Sequence, residues 1–187
     1  MTFSVMRKKS ERQLIGGNGM DLILVGFMGS GKTTIGRLLA NRLGKDYFDL
    51  DEMIVERAGM SIPEIFKILG EEEFRKIEQQ CLKDAEQLSG VLGTGGGTPT
   101  FEGNQQILIQ MGAPVVLLQA SIETTLSRIA GNDDRPLVTK FGPDGLKHLL
   151  EQRQADYGLV SDVQIVTDNL APMEVVHKIV NQIKVVE

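Results

Sequence analysis

Apolar residues run along this chain in two alternating rhythms. Short continuous runs have the length and β-branched content of buried strands: Leu22 to Val25, Tyr47-Phe48 closing at Asp49, Val91-Leu92, Ala113 to Leu118, and Val163 to Val166. Between them, apolar positions recur at helical spacing over Ile35–Leu43, Glu71–Leu88, Phe101–Met111, Ile122–Ile129, Leu146–Tyr157 and Pro172–Ile183. Ser61-Ile62-Pro63-Glu64 opens one more helix, with Ser as cap, Pro in the first turn and Glu three residues after Ser. The glycine- and aspartate-rich stretch Gly131 to Gly142 breaks the pattern. Strands alternating with helices predict an α/β protein whose parallel sheet is covered on both faces. Such sheets take their ligands at the carboxyl ends of the strands. Gly26, Asp49, Gly95 and the segment after Leu118 are therefore expected to converge at one edge. Residues 1–19 are polar and basic and end in Gly16-Gly17-Asn18-Gly19. They are expected to be a flexible extension ahead of a single domain, 20–187, with Met20 as an alternative start.

Composition narrows the picture. The chain has 187 residues, 41% of them hydrophobic and 24% charged, ordinary values for one globular domain. A net charge of −5 argues against a nucleic-acid partner, but it leaves room for a basic pocket and an anionic substrate. Cys81 is the single cysteine, so no internal disulfide is possible and a reducing compartment is expected. No apolar run reaches the roughly 18 residues of a membrane helix, and the N-terminus lacks the apolar core of a secretory signal. A cytoplasmic monomer without a membrane partner is expected. Cys81 reads as packing. His148 and His177 lack metal-ligand spacing, so no zinc is predicted.

Candidate chemistry begins at Gly26-Phe27-Met28-Gly29-Ser30-Gly31-Lys32-Thr33, which fits G-x-x-x-x-G-K-[ST] between a strand and a helix. Glycines let successive backbone N–H groups curl around a phosphate, and the helix start adds its positive end. Lys32 would reach the β- and γ-phosphates, and the Thr33 hydroxyl would face Mg²⁺. This pattern predicts nucleoside triphosphate binding.

Asp49 and Asp51 follow the second strand two residues apart, a spacing that points side chains the same way on extended chain. One could hold Mg²⁺ through its water shell, and the other could act as base toward a hydroxyl. Asp51 also suits a helix cap, and one residue can do both jobs. Arg75 reads on spacing alone as a solvated helix residue beside Glu71, Glu72 and Glu78. Arg135 lies in a stretch without regular pattern, and Arg153 precedes Tyr157 by four residues. A guanidinium fork is nevertheless the best side chain for gripping a carboxylate or a transferring phosphate. Gly95-Gly96-Gly97 is either a flexible turn or a place where backbone approaches a ligand closely.

Together these blocks resemble shikimate kinase across residues 21–184. The blocks are Gly26 to Arg37, Phe48-Asp49-Leu50-Asp51, Ser61 to Phe66, Gly70 to Arg75 with Glu78, Gly95 to Gly97, Arg135-Pro136-Leu137, and Arg153 with Tyr157. The resemblance implies a P-loop NTPase fold of the nucleoside monophosphate kinase type: three layers, a five-stranded parallel sheet and a mobile lid at about residues 130–142. It implies ATP-dependent phosphorylation of the 3-hydroxyl of shikimate on the route to chorismate and the aromatic amino acids. It also implies residue roles. Gly29, Ser30, Gly31, Lys32, Thr33 and Thr34 would bind ATP, with Arg128 at the adenine. Thr33 and Asp49 would hold Mg²⁺. Asp51, Arg75, Gly96, Gly97 and Arg153 would bind shikimate. Lys32, Asp51 and Arg135 would be catalytic, with Arg135 closing from the lid. Two departures stand out: the segment before Arg135 is unusually acidic, and the family's basic residue near Asn169 is missing.

Two other functions share parts of this pattern. A kinase for another small hydroxy acid, such as gluconate, would use the same loop but would not require the Phe74-Arg75 and triple-glycine blocks. A non-catalytic NTP-binding regulator could have lost Lys32, Asp51 or the arginines, and all are present. The Asn-Lys-x-Asp signature of guanine recognition does not occur.

Overall fold

The computed structural model describes residues 19–129 and 136–183, the stretch 136–140 by its backbone alone. In chain order the elements are β1 (Leu22–Val25), α1 (Lys32–Leu43), β2 (Asp46–Asp49), α2 (Leu50–Ala58), α3 (Ile62–Ile68) and α4 (Gly70–Ala85). They continue with β3 (Gly90–Gly93), α5 (Glu102–Gln110), β4 (Val115–Gln119), α6 (Ile122–Ile129), α7 (Pro136–Val160), β5 (Val163–Val166) and α8 (Pro172–Ile183). The five strands form one parallel sheet in the order β2-β3-β1-β4-β5.

Strand periodicity explains the three layers. Successive side chains of β1 point to opposite faces. Leu22 and Leu24 pack with Ile35 and Leu39 of α1 and with Val176 and Ile179 of α8. Ile23 and Val25 pack with Leu50 and Ile54 of α2, Leu82 of α4, Leu108 of α5 and Leu146 of α7. The inner strands β1 and β3 are buried along their whole length, as strands covered on both faces must be. Cys81 lies in the second of these clusters and is packing.

Three sequence expectations are corrected. The long helix spans Gly70–Ala85 rather than Glu71–Leu88: after Ala85 the backbone tightens into three-residue turns, with the Gln87 N–H on Asp84 O at 3.1 Å and the Leu88 N–H on Ala85 O at 3.0 Å. The stretch Gly131 to Gly142 is not wholly irregular. Residues from Pro136 onward are helical, and α7 is interrupted at Gly142, whose φ of 61° and ψ of −179° no helix accommodates. The cap of α2 is Asp49, whose Oδ1 accepts from the Asp51 backbone N–H at 3.0 Å. Asp51 sits in the first turn, with its carboxylate left for other work. The capping residues of α3 are as expected: Glu64 Oε2 accepts from both the Ser61 backbone N–H, at 2.9 Å, and the Ser61 hydroxyl, at 2.6 Å. Residues 1–18, Arg135 and the first half of the expected lid lie outside the described residues.

Candidate active site

Parallel strands bring all their carboxyl ends to one edge, and the residues expected to converge do so. Val25 leads into the phosphate loop, Asp49 ends β2, Gly93 leads into the glycine triplet, and Val166 leads to Thr167. The backbone and side chain of Thr94 both donate to the Leu24 carbonyl at 3.1 Å, tying the end of β3 to the end of β1.

The phosphate loop needs glycine for space. A Cβ on Gly26 would collide with the Leu118 carbonyl of the neighbouring strand. Gly31, at φ 102°, is the left-handed cap from which α1 starts, so the first amides of α1 are presented toward the loop. Lys32 Nζ folds over the loop and donates to the carbonyls of Gly26 at 2.8 Å and Phe27 at 3.0 Å. Arg128 fastens the loop from behind. Its guanidinium donates to Gly29 O at 3.2 Å, Ser30 O at 3.4 Å, Thr167 Oγ1 at 3.0 Å and Thr167 O at 2.9 Å.

Across the edge, two arginines converge. A Cβ built on Gly97 would lie 3.8 Å from an Nη of Arg75 and 3.8 Å from an Nη of Arg153, on different helices. Such a pair of forks suits a carboxylate. Arg153 donates to Gly96 O at 3.1 Å, and the Tyr157 hydroxyl donates to the same carbonyl at 2.6 Å. Burial pushes the Tyr157 phenol up to about 12, so it stays protonated and keeps that bond.

Arg75 is not the solvated helix residue that spacing alone suggests: its side chain is 15% exposed. It donates to Glu78 Oε2 at 2.7 Å, and Glu78 also accepts from Thr98 Oγ1 at 2.7 Å and Asn104 Nδ2 at 2.7 Å. The buried Arg75 Nε has no hydrogen-bond partner among the described residues. Phe74 and Phe101 lie 5.3 Å and 5.6 Å from the Arg75 guanidinium, and Phe27 lies 5.9 Å from that of Arg153. Sequence reasoning gave no role to Thr98 or Asn104. The signal was weak, since neither belongs to a spacing pattern and both meet Glu78 only through the fold.

Asp51 lies between the two halves. Its Oδ1 would stand 2.7 Å from a Cβ on Gly95, so glycine there keeps the carboxylate against the backbone. Its pKa is raised from the ordinary 3.8 to about 6, chiefly by burial and then by the Asp49 and Glu78 carboxylates, with the Lys32 ammonium opposing them. A carboxylate so tuned is ionised at neutral pH and basic enough to accept a hydroxyl proton.

The donor set fits Mg²⁺. Thr33 and Asp49 offer one hydroxyl and one carboxylate, hard oxygen ligands of the kind that share this ion with phosphates and water. No group of three or more His, Cys, Asp or Glu suited to a metal occurs among the described residues, so no all-protein metal cage stands in for it there.

Comparison with known proteins gives one consistent picture. The sequence model of the shikimate kinase family matches residues 28–184. The chain is 43% identical to shikimate kinase of Limosilactobacillus fermentum, over 86% of this chain and 94% of that protein. It is 42% identical to shikimate kinase of Geobacter sulfurreducens, over 87% and 90%. Among solved structures, shikimate kinase from Acinetobacter baumannii in complex with shikimate superposes with a TM-score of 0.81 at 36% identity, over 89% of this chain and 93% of that one. A gluconokinase from Sinorhizobium meliloti shares the fold alone, with a TM-score of 0.56 at 14% identity.

Proposed function

The chain belongs to the shikimate kinase family and is a small-molecule phosphotransferase, and we propose that the site just described moves the γ-phosphoryl group of ATP to the 3-hydroxyl of shikimate. The products are shikimate 3-phosphate and ADP, on the route to chorismate. One observation carries the assignment of residues: the Arg75 and Arg153 forks meet at Gly97, two residues from the Gly95 that Asp51 touches. Two residues of chain span at most about 7 Å, the scale of a small cyclic acid held by its carboxylate at one end and its hydroxyls at the other.

The amides of Gly29, Ser30, Gly31, Lys32, Thr33 and Thr34 and the Lys32 ammonium bind the phosphates and offset the charge that develops on them. Arg75 and Arg153 take the acceptor's carboxylate, with the backbone of Gly96 and Gly97 lining the site. Asp51 accepts the proton of the attacking hydroxyl. Arg128, already fixed to the loop, offers its planar face to adenine. Thr33 and Asp49 would hold Mg²⁺, the latter through water, and the ion would neutralise charge on the β- and γ-phosphates. Arg135 would arrive last from a lid at about residues 130–142, completing the site and keeping water out. We place this chemistry in the cytoplasm, in a monomer. No described helix is long and apolar enough to cross a membrane.

The test is ADP release with Mg²⁺ and ATP in the presence of shikimate, quinate or gluconate. Shikimate should stimulate release strongly and gluconate should not. Stimulation by gluconate alone would overturn the assignment.

A further inference from the structure

Tyr47 occupies the middle of an edge strand, where packing asks only for an apolar body. Its neighbours are nevertheless specific. Tyr47 and Asp49 share one face of β2, the face turned toward α1. The ring is slotted between two glycines: a Cβ on Gly36 of α1 would strike the ring, and a Cβ on Gly93 of β3 would strike the hydroxyl. The Arg37 guanidinium lies 5.9 Å from the ring centre on the solvent side. Held this way, the hydroxyl donates to Asp49 Oδ2 at 3.1 Å and has the Thr33 side chain as a second hydrogen-bonding neighbour. These are the two residues assigned above to Mg²⁺.

We propose that the Tyr47 hydroxyl is a positioning group for the metal ligands, setting the plane of the Asp49 carboxylate and the direction of the Thr33 hydroxyl. The inference rests on the Mg²⁺ assignment to those two residues. The helix cap explains only half of Asp49: the Asp51 amide fixes Oδ1 and leaves the carboxylate free to swing about that bond. The Tyr47 bond to Oδ2 removes the swing, and each oxygen keeps a lone pair for a metal-bound water. A phenylalanine would fill the same slot between Gly36 and Gly93 but would leave the carboxylate unset. Hydrogen-bonded partners of metal ligands typically govern metal affinity by about 10-fold or more.

Calorimetric titration of Tyr47→Phe and the unchanged protein with ADP, with and without Mg²⁺, tests this. The gain in ADP affinity conferred by Mg²⁺ should shrink about tenfold in the variant. ADP affinity without metal, shikimate affinity and the thermal midpoint should be preserved. An undiminished Mg²⁺ gain in the variant would overturn the proposal. So would an equal loss of metal-free ADP binding, or a variant too unstable to titrate, since either would assign the hydroxyl to packing. If the unchanged protein shows no Mg²⁺ gain, the metal assignment itself fails and the proposal with it, an outcome distinct from the others.

Discussion

Asp51, the proposed base, would trade stability for chemistry. Its carboxyl is raised to about 6 in the folded chain, against 3.8 for the ordinary group, chiefly by burial. The folded state therefore holds this proton more tightly than the unfolded state between those values. Ionised Asp51 costs stability fully above about pH 6, and the cost fades as pH falls toward 3.8. Asp51→Asn should accordingly raise the thermal midpoint at pH 8 by about 2–6 °C, a gain that disappears near pH 4, while abolishing turnover. In the unchanged enzyme, log kcat/KM for shikimate should fall with unit slope below about pH 6, the value to which burial and the neighbouring carboxylates raise this group. A flat profile down to pH 5 would remove Asp51 as the base. Lys32 is simpler. Its ammonium lies over the loop on two carbonyls, so Lys32→Ala should lower kcat by about 10³-fold or more with circular dichroism unchanged. A folded and active variant would break its link to phosphate.

Between elements, the proposed acceptor pocket depends on α4, α7 and the turn after β3 meeting correctly. Glu78 is the joint. It is buried and takes bonds from Arg75 on its own helix, Thr98 in the turn and Asn104 on α5. It thereby fixes Arg75 relative to Gly97. Gly97 itself has φ −97° and ψ −11°, which any residue adopts, and an added Cβ would touch nothing closer than 3.8 Å. Gly97→Ala should therefore fold normally. The methyl group would stand between the two guanidinium forks, and KM for shikimate should rise about 10- to 100-fold with KM for ATP little changed. Equal effects on both KM values would place the acceptor elsewhere. Helical spacing put Glu78 beside Arg75 but made both surface residues, and it gave no hint of Thr98 or Asn104. The Arg75 guanidinium also lies 5.3 Å and 5.6 Å from the Phe74 and Phe101 rings, contacts that spacing does not announce.

For the whole molecule, the described domain begins where the core does. Met20 is 6% exposed, and Asp21 is buried against Lys45 at 3.2 Å and Ser89 at 2.9 Å. Removing residues 1–18 should leave kcat, both KM values and the urea midpoint unchanged. Extending the deletion through Asp21 should cost about 2 kcal/mol or more by urea titration, since it strips a buried methionine and the buried carboxylate paired with Lys45. Loss of activity on the shorter deletion would give residues 1–18 a role that the expected boundary at about residue 20 does not foresee.

Local pattern alone dictates the layered α/β architecture, because the short apolar runs and the helical stripes are periodicities that each element carries without its neighbours. Leu22–Val25, Ile122–Ile129, Val163–Val166 and Pro172–Ile183 needed no tertiary information to be recognised. The phosphate loop is local in the same sense: strand, glycines, lysine and helix lie within a few residues of one another. Whatever depends on contact at a distance came from the fold. It gave the cap to Asp49 rather than Asp51, buried Arg75 on Glu78, turned Arg153 toward Gly96 and set the Tyr47 hydroxyl against Asp49. The physical reason is that a residue's charge state and aim depend on desolvation and hydrogen-bond partners, and here those partners come from other strands and helices, brought together only when the sheet forms.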